Sequence, residues 1–360
     1  MRFPIAQTVP ARVARDPCPS ADMPDPLHRS CQYPSLYCVL RDHQIGSPAG
    51  LLGRDGFVLN LDNVRMNSCP VCGACRLEVL SASAALVGCR ACSHVSALRS
   101  VELENRVFEG GGYRRWRQEN QKLLRQRAED RVDFISSHLA GSKGRVFELG
   151  CGTGETLAAL QSRGWSAFGA DLSASSIEIC RASYPGINVG VGVGPAALDQ
   201  DARMPFDLVM GFHVAEHVPN LQALGVDLAQ WCRPGGLLCL FVPNWESWTR
   251  RVFGDDWPGV MPEHVHQFTP ASMHRWLSDA GFRIERFETA SSAWHWLGGF
   301  KRKLSKNGAR SAVEEKTAMP SHRAMLLLEA TDILLRPLSW LENRHAAGPE
   351  MRVLARRIGG

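Results

Sequence analysis

Four cysteines in two CxxC pairs form the strongest metal-binding pattern in the chain. Cys69 and Cys72 make the first pair, and Cys89 and Cys92 make the second, with sixteen residues between the pairs. Two such pairs can present four thiolates tetrahedrally to Zn²⁺. Because four protein ligands would fill every coordination position, the pattern predicts a structural zinc centre rather than a catalytic one. The alternative is four unrelated buried cysteines.

A glycine-rich loop has the chemistry of a site for an adenosine-containing cofactor. An apolar strand at 146–149 runs into a loop with glycine at alternate positions, namely Gly150, Gly152 and Gly154. Glycines permit a close approach of the backbone to a ligand, and a helix that follows points free N–H groups at the same place. Asp171 ends the next predicted strand, where a carboxylate can accept both hydroxyls of a ribose.

The acid that precedes the loop narrows the choice of cofactor. A dinucleotide site binds a pyrophosphate and commonly shows GxGxxG, whereas this loop reads GxGxG. Glu148 would be poorly placed against a pyrophosphate, but it suits a cofactor that carries an ammonium and a sulfonium charge. An NAD-dependent oxidoreductase is therefore disfavoured.

These motifs resemble those of a known enzyme family. Residues 148–154 resemble motif I of the class I S-adenosylmethionine-dependent methyltransferases. Residues 206–218 and 232–244 resemble the fourth and fifth strands of the group that includes ubiquinone-biosynthesis O-methyltransferases, and 263–282 resembles the stretch before strand six. The matches cover most of residues 144–290 in the expected order. The resemblance implies a Rossmann-like, seven-stranded α/β sheet and S-adenosylmethionine as the cofactor.

The resemblance also implies roles for individual residues. Residues implied to hold the cofactor are Glu148, Gly150, Cys151, Gly152, Gly154, Asp171, Leu172, Phe212 and His213. Glu148 and the glycines would hold its methionine end, Asp171 its ribose and Leu172 would pack near the adenine. Phe212 and His213 would line the pocket. Residues 190–194 depart from the family pattern because they lack an acid for the adenine amino group.

A general base would help if the methyl acceptor is a hydroxyl, an amine or an acidic carbon. The candidates are Glu263, His264 and His266. Glu263 and His264 resemble the acid–histidine pair of sugar C-methyltransferases that carry an N-terminal zinc module, although that family has a further C-terminal domain. The alternative is that these histidines only orient the loop. The HxxEH pattern at 213–217 resembles a zinc-peptidase motif, but a strand end does not place both histidines on one helical face.

The elements that must position these residues follow from periodicity. Strands are predicted at 145–149, 166–170, 187–191, 206–211, 236–242, 282–289 and 350–357, and helices at 155–163, 174–183, 219–231 and 270–280. Their alternation predicts a parallel sheet with helices on both faces. Ser173 is expected to cap one helix, the pair Thr269 and Pro270 to begin another, and Gly281 to end it.

The remaining segments divide the chain. Residues 1–65 are predicted to be either disordered or an overextended gene model, with Met66 as the start. The cysteine module spans 66–98, and 112–143 is a basic helical linker. A methyltransferase domain spans 144–360, with a helical insertion at 292–347. The basic residues of the linker are Arg114, Arg115, Arg117, Lys122, Arg125, Arg127 and Arg131.

Composition sets limits on partners and location. The net charge of +5 does not require a nucleic-acid partner. With no apolar signal segment and paired cysteines, a cytoplasmic protein is expected. The apolar stretch 323–341, with basic residues upstream, is interpreted as a peripheral membrane contact or as a helix that packs on the sheet or on a second subunit.

The leading hypothesis is methyl transfer to a small-molecule, sugar or lipid-linked acceptor. The alternative is an RNA methyltransferase that binds through the zinc module and the basic helix. A third hypothesis, a non-enzymatic zinc-ribbon adaptor, is disfavoured by the intact glycines and acids of the loop.

Overall fold

The computed structural model describes residues 68–81, 84–98, 120–139, 143–198, 205–261, 263–304, 331 and 333–359. The predicted N-terminal extension, the start of the basic linker and most of the apolar stretch at 323–335 therefore lie outside the described residues.

The described chain contains a small sheet followed by a large α/β unit. In chain order the elements are β1 (Leu77–Ser81), β2 (Leu86–Cys89), β3 (Val95–Ala97), α1 (Gln121–Leu139), β4 (Arg145–Leu149), α2 (Glu155–Gln161), β5 (Ser166–Asp171), α3 (Ala174–Ser183), β6 (Asn188–Val191), β7 (Phe206–Phe212), α4 (Leu221–Trp231), β8 (Cys232–Pro243), α5 (Trp248–Phe253), β9 (His266–Gln267), α6 (Pro270–Asp279), β10 (Phe282–Ala290), α7 (Ala293–Leu304), α8 (Arg336–Arg344) and β11 (Glu350–Arg357).

The large sheet has seven strands in the order β6-β5-β4-β7-β8-β11-β10. All seven strands predicted from the sequence are confirmed. Strands β4 to β8 are mutually parallel, whereas β11 runs antiparallel to both of its neighbours, β8 and β10. The connection from β10 returns at the end of the sheet where β8 stops: the Asn244 side chain donates to the Gly348 carbonyl at 2.8 Å. A strand that starts at that end must run backwards, so the parallel sheet predicted from the sequence is a mixed sheet at this strand.

Helices cover both faces of the large sheet, as predicted. Adjacent residues of β4 point to opposite faces of the sheet because side chains alternate along a strand. Val146 packs with a cluster that includes Val132 of α1 and Leu157 of α2, whereas Phe147 packs with one that includes Leu224 of α4 and Trp276 of α6. The sheet is thus buried on both sides.

The predicted helix ends are confirmed. Ser173 accepts a hydrogen bond from the Ser176 N–H at the start of α3. Thr269 forms a capping box with Ser272 at the start of α6, with a proline in the first turn. Gly281 follows that helix with φ of +81°, a conformation that favours glycine.

The small sheet is completed by the large unit. Its strand order is β1-β2-β3-β9, and β9 pairs antiparallel with β3. The Ala97 N–H also donates to the Val265 carbonyl at 2.9 Å. The cysteine module is therefore built onto the α/β unit through a strand that comes after β8.

The insertion between β10 and β11 begins with α7 and ends with α8. Pro337 lies in the first turn of α8, where its missing N–H costs no hydrogen bond. No helix within the described ranges is both long and apolar enough to cross a membrane.

Candidate functional site

The glycine loop joins β4 to α2 in a backbone conformation that favours glycine. Gly150, Gly152 and Gly154 have φ values of +69°, +52° and +85°. A Cβ on Gly150 would lie 2.5 Å from Cγ2 of Val214, and one on Gly154 would lie 2.3 Å from Sγ of Cys180. Both the backbone angles and the tight packing therefore require glycine.

Asp171 organises the loop from the end of β5. One carboxylate oxygen accepts a hydrogen bond from the Gly152 N–H and the other from the Ser173 N–H, each at 2.8 Å. A carboxylate offers about four lone-pair directions, so two remain for a ligand such as a ribose. Leu172 follows and is half-buried, while Glu148 and Cys151 are buried beside the loop.

The turn after β7 packs directly on the glycine loop through Val214. Phe212, the last residue of β7, is 6% exposed and meets Phe241 edge to face with ring centroids 4.8 Å apart. The Arg131 guanidinium of α1 lies 4.3 Å from the centre of the Phe212 ring. Helix α1 thus places a cation against the ring at the end of β7.

His213 lies between two carboxylates at the mouth of the turn. Its Nε2 donates to Glu350 at 2.9 Å, and its Nδ1 lies 3.3 Å from Glu216. Desolvation disfavours the protonated ring, although the side chain is 43% exposed, and the contacts with Glu216 and Glu350 outweigh it and raise the pKa of His213 to about 9. The raised pKa favours the imidazolium form of His213, which donates hydrogen bonds but does not accept a proton.

The three catalytic candidates of the 263–266 segment lie in different surroundings. His264 is buried, and its Nδ1 lies 2.9 Å from the Gly259 carbonyl. Burial, and to a smaller extent the nearby His217, lowers the pKa of His264 to about 4. His266 lies in β9 with Nδ1 against His94 and Nε2 against a backbone carbonyl. Glu263 is half-buried and its carbonyl contacts His217. A catalytic role for any of them stays a prediction.

A second cluster of metal-capable side chains lies beside this segment. Ligand atoms of Glu216, His217 and His264 lie within 4.8 Å of one another. Ala215–His217 forms a short 3-10 turn rather than a helix, so the peptidase-like arrangement of His213 with His217 on one helical face does not occur.

The four predicted zinc ligands converge. The sulfurs of Cys69, Cys72, Cys89 and Cys92 lie within 4.8 Å of one another. Cys69 and Cys92 are 3.6 Å apart, as are Cys72 and Cys89. Four sulfurs at about 2.3 Å from one zinc ion stand roughly 3.8 Å apart, so the observed cluster fits a tetrahedral centre.

The sequence alone did not identify three side chains that make contacts at this site. Glu350 contacts His213 from a strand that is 137 residues away. Arg131 was assigned to a basic surface, and His94 was not considered, although it joins the cysteine module to His266. No periodicity or motif marks these residues, because each acts through a partner distant in sequence.

Comparisons with known proteins agree with this geometry. A family model described as a methyltransferase domain matches residues 113–286. The ubiquinone biosynthesis O-methyltransferase of Xylella fastidiosa strain 9a5c is 30% identical over 177 residues, covering 46% of this chain and 71% of the relative.

Two further relatives extend the comparison. The protein of the same name from Xanthomonas euvesicatoria pv. vesicatoria is 27% identical over 204 residues, covering 53% of this chain and 82% of the relative. A solved S-adenosylmethionine-dependent methyltransferase from Archaeoglobus fulgidus is 20% identical with a TM-score of 0.43. That match covers 67% of this chain and 99% of the solved one.

Proposed function

The chain belongs to the class I S-adenosylmethionine-dependent methyltransferases, and we propose that its methyl acceptor is a small molecule, a sugar or a lipid-linked compound. The observation that carries the proposal is the 30% identity to an enzyme named for O-methylation in ubiquinone biosynthesis. Its name describes methylation of an oxygen, which makes a hydroxyl the first acceptor group to test.

The residues of the loop fit S-adenosylmethionine. We assign Glu148, Gly150, Cys151, Gly152 and Gly154 to its methionine end. The remaining lone pairs of Asp171 suit its ribose, with Leu172 beside the adenine and Phe212 and His213 at the pocket wall. The cofactor supplies a methyl group already activated by the sulfonium charge. The chain must therefore mainly orient the acceptor and exclude water.

The described part of the basic helix gives little support to an RNA acceptor. Arg131 points into the protein, where it also donates to the Thr156 hydroxyl at 3.0 Å. Glu129 pairs with Arg163, and Asp130 and Asp133 are exposed on the same helix. A surface with mixed charges attracts a polyphosphate backbone weakly.

Exposed aromatic side chains on α7 and on α8 support a lipid-linked acceptor and peripheral contact with a membrane. Trp294 and Phe300 of α7 are 46% and 49% exposed, and Trp340 of α8 is 62% exposed. Lys301 and Lys303 lie beside Phe300 in sequence. Aromatic residues flanked by lysines suit the interface of an anionic bilayer. The part of the predicted contact at 323–330 lies outside the described residues.

We further propose that the four-cysteine cluster binds one structural Zn²⁺. The support is the convergence of four sulfurs at distances that a tetrahedral ion would impose. With all four positions taken by protein ligands, the ion would hold the module together rather than meet substrate.

Methyl transfer to defined acceptors tests the proposal. The full chain is incubated with S-adenosylmethionine labelled in the methyl group and with a prenylated catechol, a free sugar or a short RNA hairpin, beside the variant Asp171→Asn. We expect label in a small molecule and far less with the variant. Label in the RNA alone would overturn the acceptor assignment while leaving the enzyme class intact.

A further inference from the structure

A groove of about 630 Å³ separates the cysteine module from the segment that follows β8. One wall is the face of the small sheet, and the other is the stretch from Trp245 to α5. The Ser81 hydroxyl donates to Asp255 at 2.7 Å and ties the two walls together. The charged residues that line the groove are Glu78, Arg90, Glu246, Arg250 and Arg251. This volume is in the range of sites for small molecules.

Arg250 is held in the groove with hydrogen-bonding capacity left over. Its guanidinium lies 3.9 Å from the centre of the Trp245 ring, and its side chain is 19% exposed. Within the described part of the chain its ion pair is with Asp255 at 3.8 Å, which is longer than a charge-assisted hydrogen bond. Its Nε is buried and has no hydrogen-bond partner among those residues.

The Arg250 guanidinium lies over the face of the Trp245 ring. A guanidinium that uses its flat face against a ring keeps its N–H donors at the edge, in the fork that matches two oxygens of a phosphate. Burial lowers the pKa of Arg250, with Asp255 acting in the opposite direction. Arginine nevertheless stays charged at neutral pH, so a dianion entering the groove would meet a partly desolvated cation.

The other charges of the groove complete a site for a phosphorylated ligand. Arg90 is neutralised by Glu78 at 2.6 Å. Arg251 is exposed, and no ion pair links it to Glu246 among the described residues. A second arginine at the rim can add to phosphate binding, while a carboxylate can accept hydrogen bonds from ligand hydroxyls.

We propose that this groove binds a small molecule that carries a phosphate ester, with Arg250 stacked on Trp245 as the anchor for the phosphate. The site lies beyond the carboxyl end of β8, on the edge of the sheet that carries the glycine loop. It goes beyond the proposed methyl transfer and is tested by binding alone.

The test is calorimetric titration of the zinc-loaded full chain with glucose 1-phosphate, inorganic pyrophosphate, glucose and a short single-stranded RNA. We expect both phosphates to bind and glucose to bind at least about tenfold more weakly, because the anchor recognises the anion. Arg250→Met should weaken phosphate binding at least about tenfold. Arg283→Met, which removes an exposed arginine elsewhere, should leave it unchanged.

A second variant covers the case in which Arg250→Met fails to fold. Arg251→Glu alters an exposed side chain and places an acid at the rim, so it should also weaken phosphate binding while S-adenosylmethionine binding persists. Three results would each overturn the proposal: neither phosphate binds, Arg250→Met or Arg251→Glu binds phosphate as tightly as the parent chain, or RNA binds while the small phosphates do not.

Discussion

At the scale of single residues, the Asp171 carboxylate has two roles: it holds the glycine loop, and it is assigned to the cofactor ribose. It holds the Gly152 and Ser173 backbones, and the same two oxygens are assigned to the cofactor ribose. Both tasks are compatible because each oxygen can accept a second hydrogen bond. The first task preforms the loop, so that binding does not have to order it.

Replacing Asp171 by asparagine should weaken both roles while the fold stays intact. The amide has one acceptor oxygen, so the variant loses charge and at least one hydrogen bond to the ribose or to the loop. Hydrogen bonds to a charged group contribute about 1.5–3 kcal/mol, so affinity for S-adenosylmethionine should fall on the order of 100-fold by calorimetry. Asp279→Asn, which breaks an exposed ion pair with Arg275, is the control and should bind normally.

Gly154→Ala should destabilise the chain by more than its backbone angle alone explains. The new Cβ would lie 2.3 Å from the Cys180 sulfur, whereas at Gly281, with nearly the same φ, a Cβ would meet nothing within 4 Å. Gly281→Ala therefore measures the conformational cost alone, about 1–2 kcal/mol. In urea unfolding we expect a larger loss for Gly154→Ala, partly restored by Cys180→Ala. Equal losses for the two glycines would contradict the steric argument.

The residues whose positions could be predicted are those whose neighbours in sequence define the local conformation. The loop glycines, Glu148 and Asp171 stand at strand ends, where local pattern fixes both conformation and direction. Glu350 could not be assigned, because its contact with His213 depends on β11 being inserted beside β8. The pairing of strands far apart in sequence is a tertiary outcome that no local window contains.

At the scale of elements, local pattern likewise explains why seven strands could be predicted and β9 could not. The seven long strands have apolar patterns, and the caps at Ser173 and Thr269 have side-chain chemistry that acts within three residues. Strand β9 has two residues and therefore no period to detect. The reversal of β11 was equally hidden, because an apolar pattern does not encode strand direction.

Asp227 of α4 makes the stability of that helix dependent on pH. Burial raises its pKa from 3.8 to about 6, so the folded state favours the neutral acid. Stability should therefore fall as pH rises from about 4 to about 6 and remain lower above that. Asp227→Asn should remove this loss and stabilise the chain by about 1–2 kcal/mol at pH 7.5, since the site is partly exposed.

Thermal unfolding between pH 5 and 8 measures this effect. The melting temperature of Asp227→Asn should exceed that of the parent by a few degrees at pH 7.5, and the difference should narrow towards pH 5. The exposed Asp133→Asn serves as the matched control on α1. A difference that does not change with pH would show that the amide acts through packing rather than through charge.

At the scale of the whole molecule, the cysteine module and the α/β unit share one core. Cys69, Val71 and Cys89 belong to the same buried cluster as Met273 and Trp276 of α6. Buried His94 adds a polar connection, with Nε2 3.1 Å from Nδ1 of His266. Two parts joined by a sheet and a common core should unfold together.

Loss of zinc should consequently weaken the enzyme beyond the module itself. We expect one zinc ion per chain by metal analysis, and chelation or Cys92→Ser should lower the single melting transition by roughly 5 °C or more. Cys92→His keeps a zinc ligand and should retain most of the metal. Two separate transitions, with the larger one unmoved by chelation, would instead mean that the module folds alone. The position of β9 argues against that result, because the module without the α/β unit lacks its fourth strand.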